Sequence, residues 1–221
     1  MPYTYDYPHP AVTVDIVIFT IEDDDLKVLL IQRGLDPFVG KWALPGGFVG
    51  IDESLRRAAW RELKEETGVN AAFLEQLGAF GHPDRDERER IITVAYYALI
   101  PAERLELQAD TDAQDARLFS MSDLPELAFD HPKILSRAHE RVKDKVGEPV
   151  IALQLVPEEF TLTELQRVHE RIVGVSLDKR NFRKKILALD LLEPTGAERR
   201  DGPHRPARLY RAKDPTDVPY R

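Results

Sequence analysis

Gly47-Phe48-Val49-Gly50-Ile51-Asp52-Glu53-Ser54-Leu55-Arg56-Arg57-Ala58-Ala59-Trp60-Arg61-Glu62-Leu63-Lys64-Glu65-Glu66-Thr67-Gly68-Val69 is the stretch of this chain whose reading decides its fold. Leu55, Ala59 and Leu63 recur at i, i+4 and i+8 as an apolar stripe. The spacing predicts a helix from about Asp52 to Thr67, with Asp52 as N-cap and Gly68 as its stop. On such a helix Glu62 and Glu66 lie one above the other, and Glu65 stands beside them. Three carboxylates this close repel unless something screens them. Arg56, Arg57, Arg61 and Lys64 interleave with them, so a solvated acidic face is one reading. A hard divalent cation is the other: Mg²⁺ takes oxygen ligands and bridges protein carboxylates to substrate phosphates.

Outward from this helix, the chain alternates strand and turn signals. Ala11 to Phe19 reads as a mostly buried strand, Asp23-Asp24-Asp25 as a turn, and Leu26 to Arg33 as the returning strand of a hairpin. Pro37, Gly40, Pro45, Gly46 and Gly47 mark an irregular connection around a short strand with Trp42 and Leu44. Ala71 to Phe80 and Ile91 to Ile100 are predicted strands flanking a charged loop, 82–90. A short strand, Ala116 to Phe119, and a helix, Pro132 to Val146, follow. This mixture argues for α+β or an α/β/α sandwich rather than a regular βαβ array.

The remainder is helical and basic. Thr161 to Val173 is predicted as an amphipathic helix opened by a Thr161/Glu164 capping box, with Leu162, Leu165, Val168 and Ile172 inward. A second helix, Asp178 to Leu192, buries Phe182, Ile186, Leu189 and Leu192 and carries Lys179, Arg180, Arg183 and Lys184 opposite. A hairpin follows, with a turn from Gly196 to Gly202, Arg199 and Arg200 at its tip, and Pro206 to Arg211 returning. Helix, turn, basic helix and hairpin describe a winged helix-turn-helix. A helical dimerisation module with a cationic surface is the alternative.

Composition bounds these readings. The chain has 221 residues, 43% hydrophobic and 32% charged, which excludes disordered and fibrous classes. With no cysteine, disulfides, thiolate metal sites and cysteine nucleophiles are excluded. No signal peptide is evident, and the apolar run from Ala11 to Ile21 contains Asp15 and falls short of a ~20-residue span. A soluble cytoplasmic protein that does not engage a membrane is expected. The net charge of −8 is uneven: residues 157–221 hold 14 basic and 11 acidic residues, and 1–156 hold 17 and 28. Two domains with different partners, one a polyanion, fit that split.

The opening stretch matches Gx5Ex7REUxEExGU, the Nudix box, at Gly47, Glu53, Arg61, Glu62, Leu63, Glu65, Glu66, Gly68 and Val69. Seven fixed identities at roughly 7% usage arise by chance about once in 10⁸ starts. With Lys41 to Val49, Arg90 to Tyr97, Phe160 to Gln166 and Leu177 to Lys185, the chain resembles the Nudix-related transcriptional regulators over nearly all of 10–211. The resemblance implies a Nudix α/β/α sandwich with a mixed sheet, followed by a small winged helix-turn-helix. Expected boundaries are an arm at 1–10, the Nudix domain at 11–148, a linker at 149–159, the winged domain at 160–212 and a tail at 213–221.

The resemblance also implies chemistry. Glu62 and Glu66 match metal ligands for Mg²⁺ or Mn²⁺, Glu65 a further ligand or water-orienting group, and Gly46 a backbone carbonyl ligand. Glu53 and Arg61 match the pair tying loop to helix. A general base from a separate loop is expected, with Glu106, Asp110, Asp112 and Asp115 as candidates. Arg85, Arg88 and Arg90 are candidate phosphate clamps; Phe48, with Trp42 and Tyr96, is a candidate for stacking on adenine. Lys179, Arg180, Arg183, Lys184, Arg199 and Arg200 are the expected DNA contacts.

The implied function is an ADP-ribose-responsive regulator, a homodimer on a near-palindromic operator that represses genes of NAD metabolism. Many relatives carry a decayed box and only sense ADP-ribose. Here every box carboxylate is present, so slow hydrolysis of ADP-ribose to AMP and ribose 5-phosphate is expected as well. The alternative is an ordinary Nudix hydrolase of ADP-ribose or another nucleoside-diphosphate derivative, whose second domain only completes a dimer.

Overall fold

The computed structural model describes residues 6–69, 72–106, 113–200 and 206–213. The chain divides into two units. The first comprises the residues up to Phe19, Lys27–Ile100 and Arg104–Arg141; the second comprises Val142 onward together with Thr20–Leu26 and Pro101–Glu103. No helix among the described residues is long and apolar enough to cross a membrane.

Among the described residues, a seven-stranded mixed sheet organises the first part of the chain. Its strands are β1 (Ala11–Glu22), β2 (Asp25–Arg33), β3 (Trp42–Ala43), β4 (Gly46–Phe48), β5 (Phe73–Phe80), β6 (Ile91–Leu99) and β7 (Ala113–Ser120). Their order is β3-β2-β1-β6-β5, with β4 on β1 and β7 on β2. β1 and β6 run parallel, with Val14 opposite Val94, and are buried on both faces as their β-branched and aromatic residues dictate. Helix α1 (Leu55–Thr67) lays Ala58, Ala59 and Leu63 on the face formed by Val14, Ile16, Ile18, Val94, Tyr96 and Ala98. Helix α2 (His131–Lys145) lies on the opposite face, where His139 meets Phe19, and Arg141 pairs with Glu75 of β5. Helix, sheet and helix form the expected α/β/α sandwich.

Helix α1 begins later than Asp52. Glu53 accepts the Gly50 N–H on its side chain, and its own N–H bonds the Gly50 carbonyl, which holds residues 50–53 in a turn. Ser54 is therefore the N-cap, its hydroxyl accepting the Arg57 N–H at 3.3 Å.

In the second unit, helix α3 (Pro149–Leu153) occupies the start of the segment read as linker. Pro149 fixes φ at the first helical position, where its missing N–H costs nothing. Strand β8 (Phe160–Thr161), helix α4 (Leu162–Val173), helix α5 (Lys179–Ala188), β9 (Leu192–Arg199) and β10 (Ala207–Ala212) follow. The capping box of α4 is formed: Thr161 Oγ1 accepts the Glu164 N–H, and Glu164 Oε2 accepts the Thr161 N–H. Leu162, Leu165, Val168, Ile172, Phe182, Ile186, Leu192 and Leu209 are buried.

Helix α5 stops four residues before the expected Leu192. Asp190 adopts a positive φ, and Leu192 pairs with Ala212, so Leu192 reaches the core from a strand; Leu189 is 41% exposed. The three strands order as β8-β10-β9 and supply the wing.

Candidate functional site

Strand β4 pairs antiparallel with β1, setting Gly46 opposite Asp15 and Gly47 opposite Val14. That pairing presses the Gly46-Gly47 backbone between β1 and α1. A Cβ on Gly46 would lie 2.2 Å from the Val14 carbonyl oxygen and 2.8 Å from Asp15 Oδ1. One on Gly47 would lie 2.3 Å from Glu62 Oε1. The Glu62 carboxylate thus rests directly against the backbone that carries the expected carbonyl ligand. Glu62 and Glu66 are buried on α1, while the Glu65 side chain is 38% exposed.

Arg61 occupies the space between these carboxylates. Its Nη1 lies 2.5 Å from Glu62 Oε1 and 3.1 Å from Glu65 Oε2; Nε and Nη2 grip Glu53 at 3.1 and 3.2 Å, and Nη2 also donates to the Phe48 carbonyl. Hydrogen bonds from Arg61, then from the Gly50 N–H, hold the Glu53 carboxyl below the usual range. Glu53 and Arg61 therefore join loop to helix. Among the described residues, no three His, Asp or Glu side chains converge closely enough to hold a metal. The donor types still suit Mg²⁺ or Mn²⁺: hard oxygens on one helix face, beside a backbone whose Gly46 leaves no room for a Cβ.

Glu106 donates its N–H to the Thr67 carbonyl, and its carboxylate lies beside Gly68 at the end of α1. Asp115 pairs with Arg117 at 2.5 Å, while Asp110 and Asp112 lie outside the described residues.

Beside Gly46 and Gly47 opens a cleft of about 260 Å³ lined by Thr13, Asp15, Arg33, Leu35, Phe48, Arg88, Phe129 and His131, among others. The three arginines singled out from the loop have distinct settings. Arg85 is buried and donates to Asp15 at 3.1 Å and Asp130 at 2.9 Å. Arg88 pairs with Asp86 at 2.8 Å, with its guanidinium carbon 5.9 Å from the Phe129 ring. Arg90 donates to the carbonyls of His82 and Ile91. Burial opposes ionisation of Asp86, but hydrogen bonds from Arg88 outweigh it and its pKa falls.

Phe48 is 52% exposed at the cleft, whereas Tyr96 is buried and Trp42 packs edge-on against Phe119.

Asp15, Arg33, Phe129, Asp130 and His131 were not legible as site residues. Arg33 sits 4.8 Å from the Phe129 ring centre and donates to the carbonyls of Leu35 and Pro37. His131 Nδ1 accepts the Leu44 N–H at 2.9 Å, and burial holds its pKa down. Its proton therefore resides on Nε2, 3.7 Å from Asp15 Oδ1. One signal existed in the sequence: Asp15 interrupts an otherwise apolar strand, and a charge there needs a buried partner.

In the second unit, Lys179, Arg180, Arg183 and Lys184 are all exposed on α5, whose N-terminus Asp178 caps. Arg199 is not at the tip of the wing. It lies on β9 opposite Ala207, donating to Glu164 Oε1 at 2.7 Å and to the Glu159 carbonyl at 3.0 Å. Arg200 follows it and is exposed.

Comparison with known proteins agrees with both halves. The NUDIX domain family matches residues 9–138, and the NrtR DNA-binding winged helix domain matches 152–212. The chain is 40% identical over 210 residues to an ADPR responsive transcriptional repressor NtrR of Acinetobacter baylyi, covering 93% of this chain and 83% of that one. It is 44% identical over 129 residues to an ADP-ribose pyrophosphatase of Methanocaldococcus jannaschii, covering 58% and 73%. Among solved structures, Shewanella oneidensis NrtR complexed with a 27mer DNA is similar at a TM-score of 0.82 and 39% identity, covering 91% of this chain and 93% of that one. A Nudix sandwich with a complete box, joined to a winged helix of this type, makes the chain a member of the NrtR family of Nudix-related transcriptional regulators.

Proposed function

We infer that this protein is an ADP-ribose-responsive repressor whose Nudix domain also hydrolyses its effector. The complete set of box carboxylates, with Glu62 seated on the Gly46-Gly47 backbone, is the observation that carries the hydrolytic half. The winged domain and the DNA-bound relative support the regulatory half.

In the hydrolytic reaction, water attacks one phosphorus of ADP-ribose, the bridging P–O bond breaks, and AMP and ribose 5-phosphate leave. Glu62, Glu66, Glu65 and the Gly46 carbonyl would hold Mg²⁺ or Mn²⁺, which would supply charge neutralisation for the pyrophosphate and acidify the attacking water. Glu53 holds the Arg61 guanidinium and so fixes the loop against the helix. Of the two described candidates for the general base, Asp115 is paired with Arg117 and Glu106 lies at the end of α1, so Glu106 is the one we assign. Arg33 and Arg88, both against Phe129 at the cleft, present positive charge to the diphosphate, and Phe48 offers an exposed ring to the adenine.

A helix-turn-helix reads few base pairs, so we assign the active form as a homodimer on two half-sites. ADP-ribose releases the operator by preferring a protein state that binds DNA less well, and linkage requires DNA to weaken ADP-ribose binding by the same factor. Two measurements test this: ADP-ribose cleavage with Mg²⁺ by the wild type and Glu66→Gln, and duplex affinity of Glu66→Gln with and without saturating ADP-ribose. Cleavage abolished by the substitution, with weaker DNA binding in ligand, supports both halves. Unchanged DNA affinity at saturation rejects the effector role. Cleavage of another nucleotide while ADP-ribose is untouched rejects the substrate.

A further inference from the structure

The start of α4, the start of α5 and strand β10 enclose an open cleft of about 590 Å³. Arg167 of α4, Lys179 and Arg183 of α5, and Arg208 of β10 all line it, as does Arg199 of β9. The first four are exposed, and none has a carboxylate within ion-pairing distance among the described residues. Arg183 reaches only the Thr163 hydroxyl, at 3.4 Å. Four like charges facing one cleft repel one another, and an anion of regular spacing relieves them.

The helix geometry sorts the α5 cations. Lys179 and Arg183 are four apart and share the face that lines the cleft. Arg180 and Lys184 form a second i, i+4 pair, rotated by about 100° around the axis, and neither lines the cleft. Arg167 lies on the first helix of the motif, the one that crosses the DNA backbone in such folds, and Arg208 on the wing's returning strand.

Among the described residues, the single anion lining this cleft is Glu164. It cannot be dispensed with, since its Oε2 caps the Thr161 N–H. Its other oxygen accepts Arg199 Nη1, which cancels the charge and ties β9 to the start of α4.

Resting on the reading of the second domain as DNA-binding, we propose that this cleft is its sugar-phosphate clamp. Arg167, Lys179, Arg183 and Arg208 contact phosphates. Arg180 and Lys184 are left for base edges. Arg199 is a positioning residue that neutralises Glu164 and sets the wing beside the recognition helix. The assignment adds Arg167 and Arg208 to the interface and moves Arg199 out of direct contact.

The test uses the full chain and a mixed-sequence 30-base-pair duplex, with affinity measured against salt, and a randomised duplex pool to read sequence preference. Each phosphate contact contributes a salt slope of about 0.9. Arg167→Gln and Arg208→Gln should each lower the slope by about 0.9 and leave the selected sequence unchanged. Arg180→Gln and Lys184→Gln should relax the selected sequence. Arg199→Met should weaken binding, and adding Glu164→Gln, which keeps a capping oxygen, should restore it.

Binding with a slope unmoved by both Arg167→Gln and Arg208→Gln overturns the clamp while the DNA-binding reading stands. An Arg199→Met defect that Glu164→Gln does not rescue overturns the positioning role. No binding by the wild type at low salt overturns the DNA-binding reading itself.

Discussion

Gly47 and Glu62 approach so closely that a methyl group on Gly47 would lie 2.3 Å from the Glu62 carboxylate oxygen, inside any allowed contact. The atom in the way is the end of a flexible side chain. Gly47→Ala should therefore displace the carboxylate rather than the backbone. We expect stability within about 0.5 kcal/mol of wild type and ADP-ribose hydrolysis reduced by at least roughly tenfold. Gly46→Ala differs, because its obstacles include the Val14 carbonyl and the Asp15 Cα. It should cost about 1–3 kcal/mol by overpacking β1 against β4. Thermal unfolding beside a hydrolysis assay separates the two; equal destabilisation by both would contradict this distinction.

Arg85 holds two aspartates in a buried setting, so its removal strands charge rather than freeing a ligand contact. Arg85→Met should cost about 3–5 kcal/mol, as expected when one partner of a buried ion pair is lost. Urea denaturation measures it. A variant of wild-type stability with only weakened ADP-ribose binding would instead make Arg85 a phosphate clamp.

His169 sets part of the pH dependence of stability. Burial, reinforced by Lys185, lowers its pKa from 6.5 to about 4 in the folded chain. Between those values the unfolded state binds more protons than the folded one. The His169 contribution is therefore complete above pH 6.5 and is lost as pH falls towards 4, by at most about 1.4 kcal/mol per unit. His131, buried beside Asp15, Arg85 and Asp130, shifts in the same direction, so the diagnostic quantity is a difference. Urea midpoints between pH 7 and 4.5 should fall less steeply for His169→Leu than for wild type. Parallel slopes would show that His169 protonates freely when folded.

Asp178 caps α5, a helix only ten residues long, through the Asn181 N–H at 2.8 Å. Asp178→Ala should destabilise the second unit by about 1 kcal/mol, and Asp178→Ser should recover most of it. Hydrogen exchange of the α5 amides is the local readout. Undiminished protection in the alanine variant would place the helix's stability in its packing alone.

The periodicities that exposed the sandwich and the winged helix are local: the stripe on α1, the capping box of α4, and the β-branched runs of β1 and β6. The box residues were legible because their spacing is chemically constrained. Asp15, Asp130 and His131 were not, since they come together from a strand and a helix start more than 100 positions apart and share no period. The apolar spacing of α5 runs on to Leu192, but the helix ends at Ala188 and Leu192 enters the core from β9. The glycines and proline around Arg199 signal a turn, and only the β9–β10 register, which no local pattern encodes, sets it opposite Ala207.

The guanidinium among the box carboxylates gives the Nudix helix its own counterion. A tethered cation sits at a fixed effective concentration, whatever the metal supply of its surroundings. The acidic helix can therefore fold and persist without a divalent ion, unlike a site whose folding is driven by its metal.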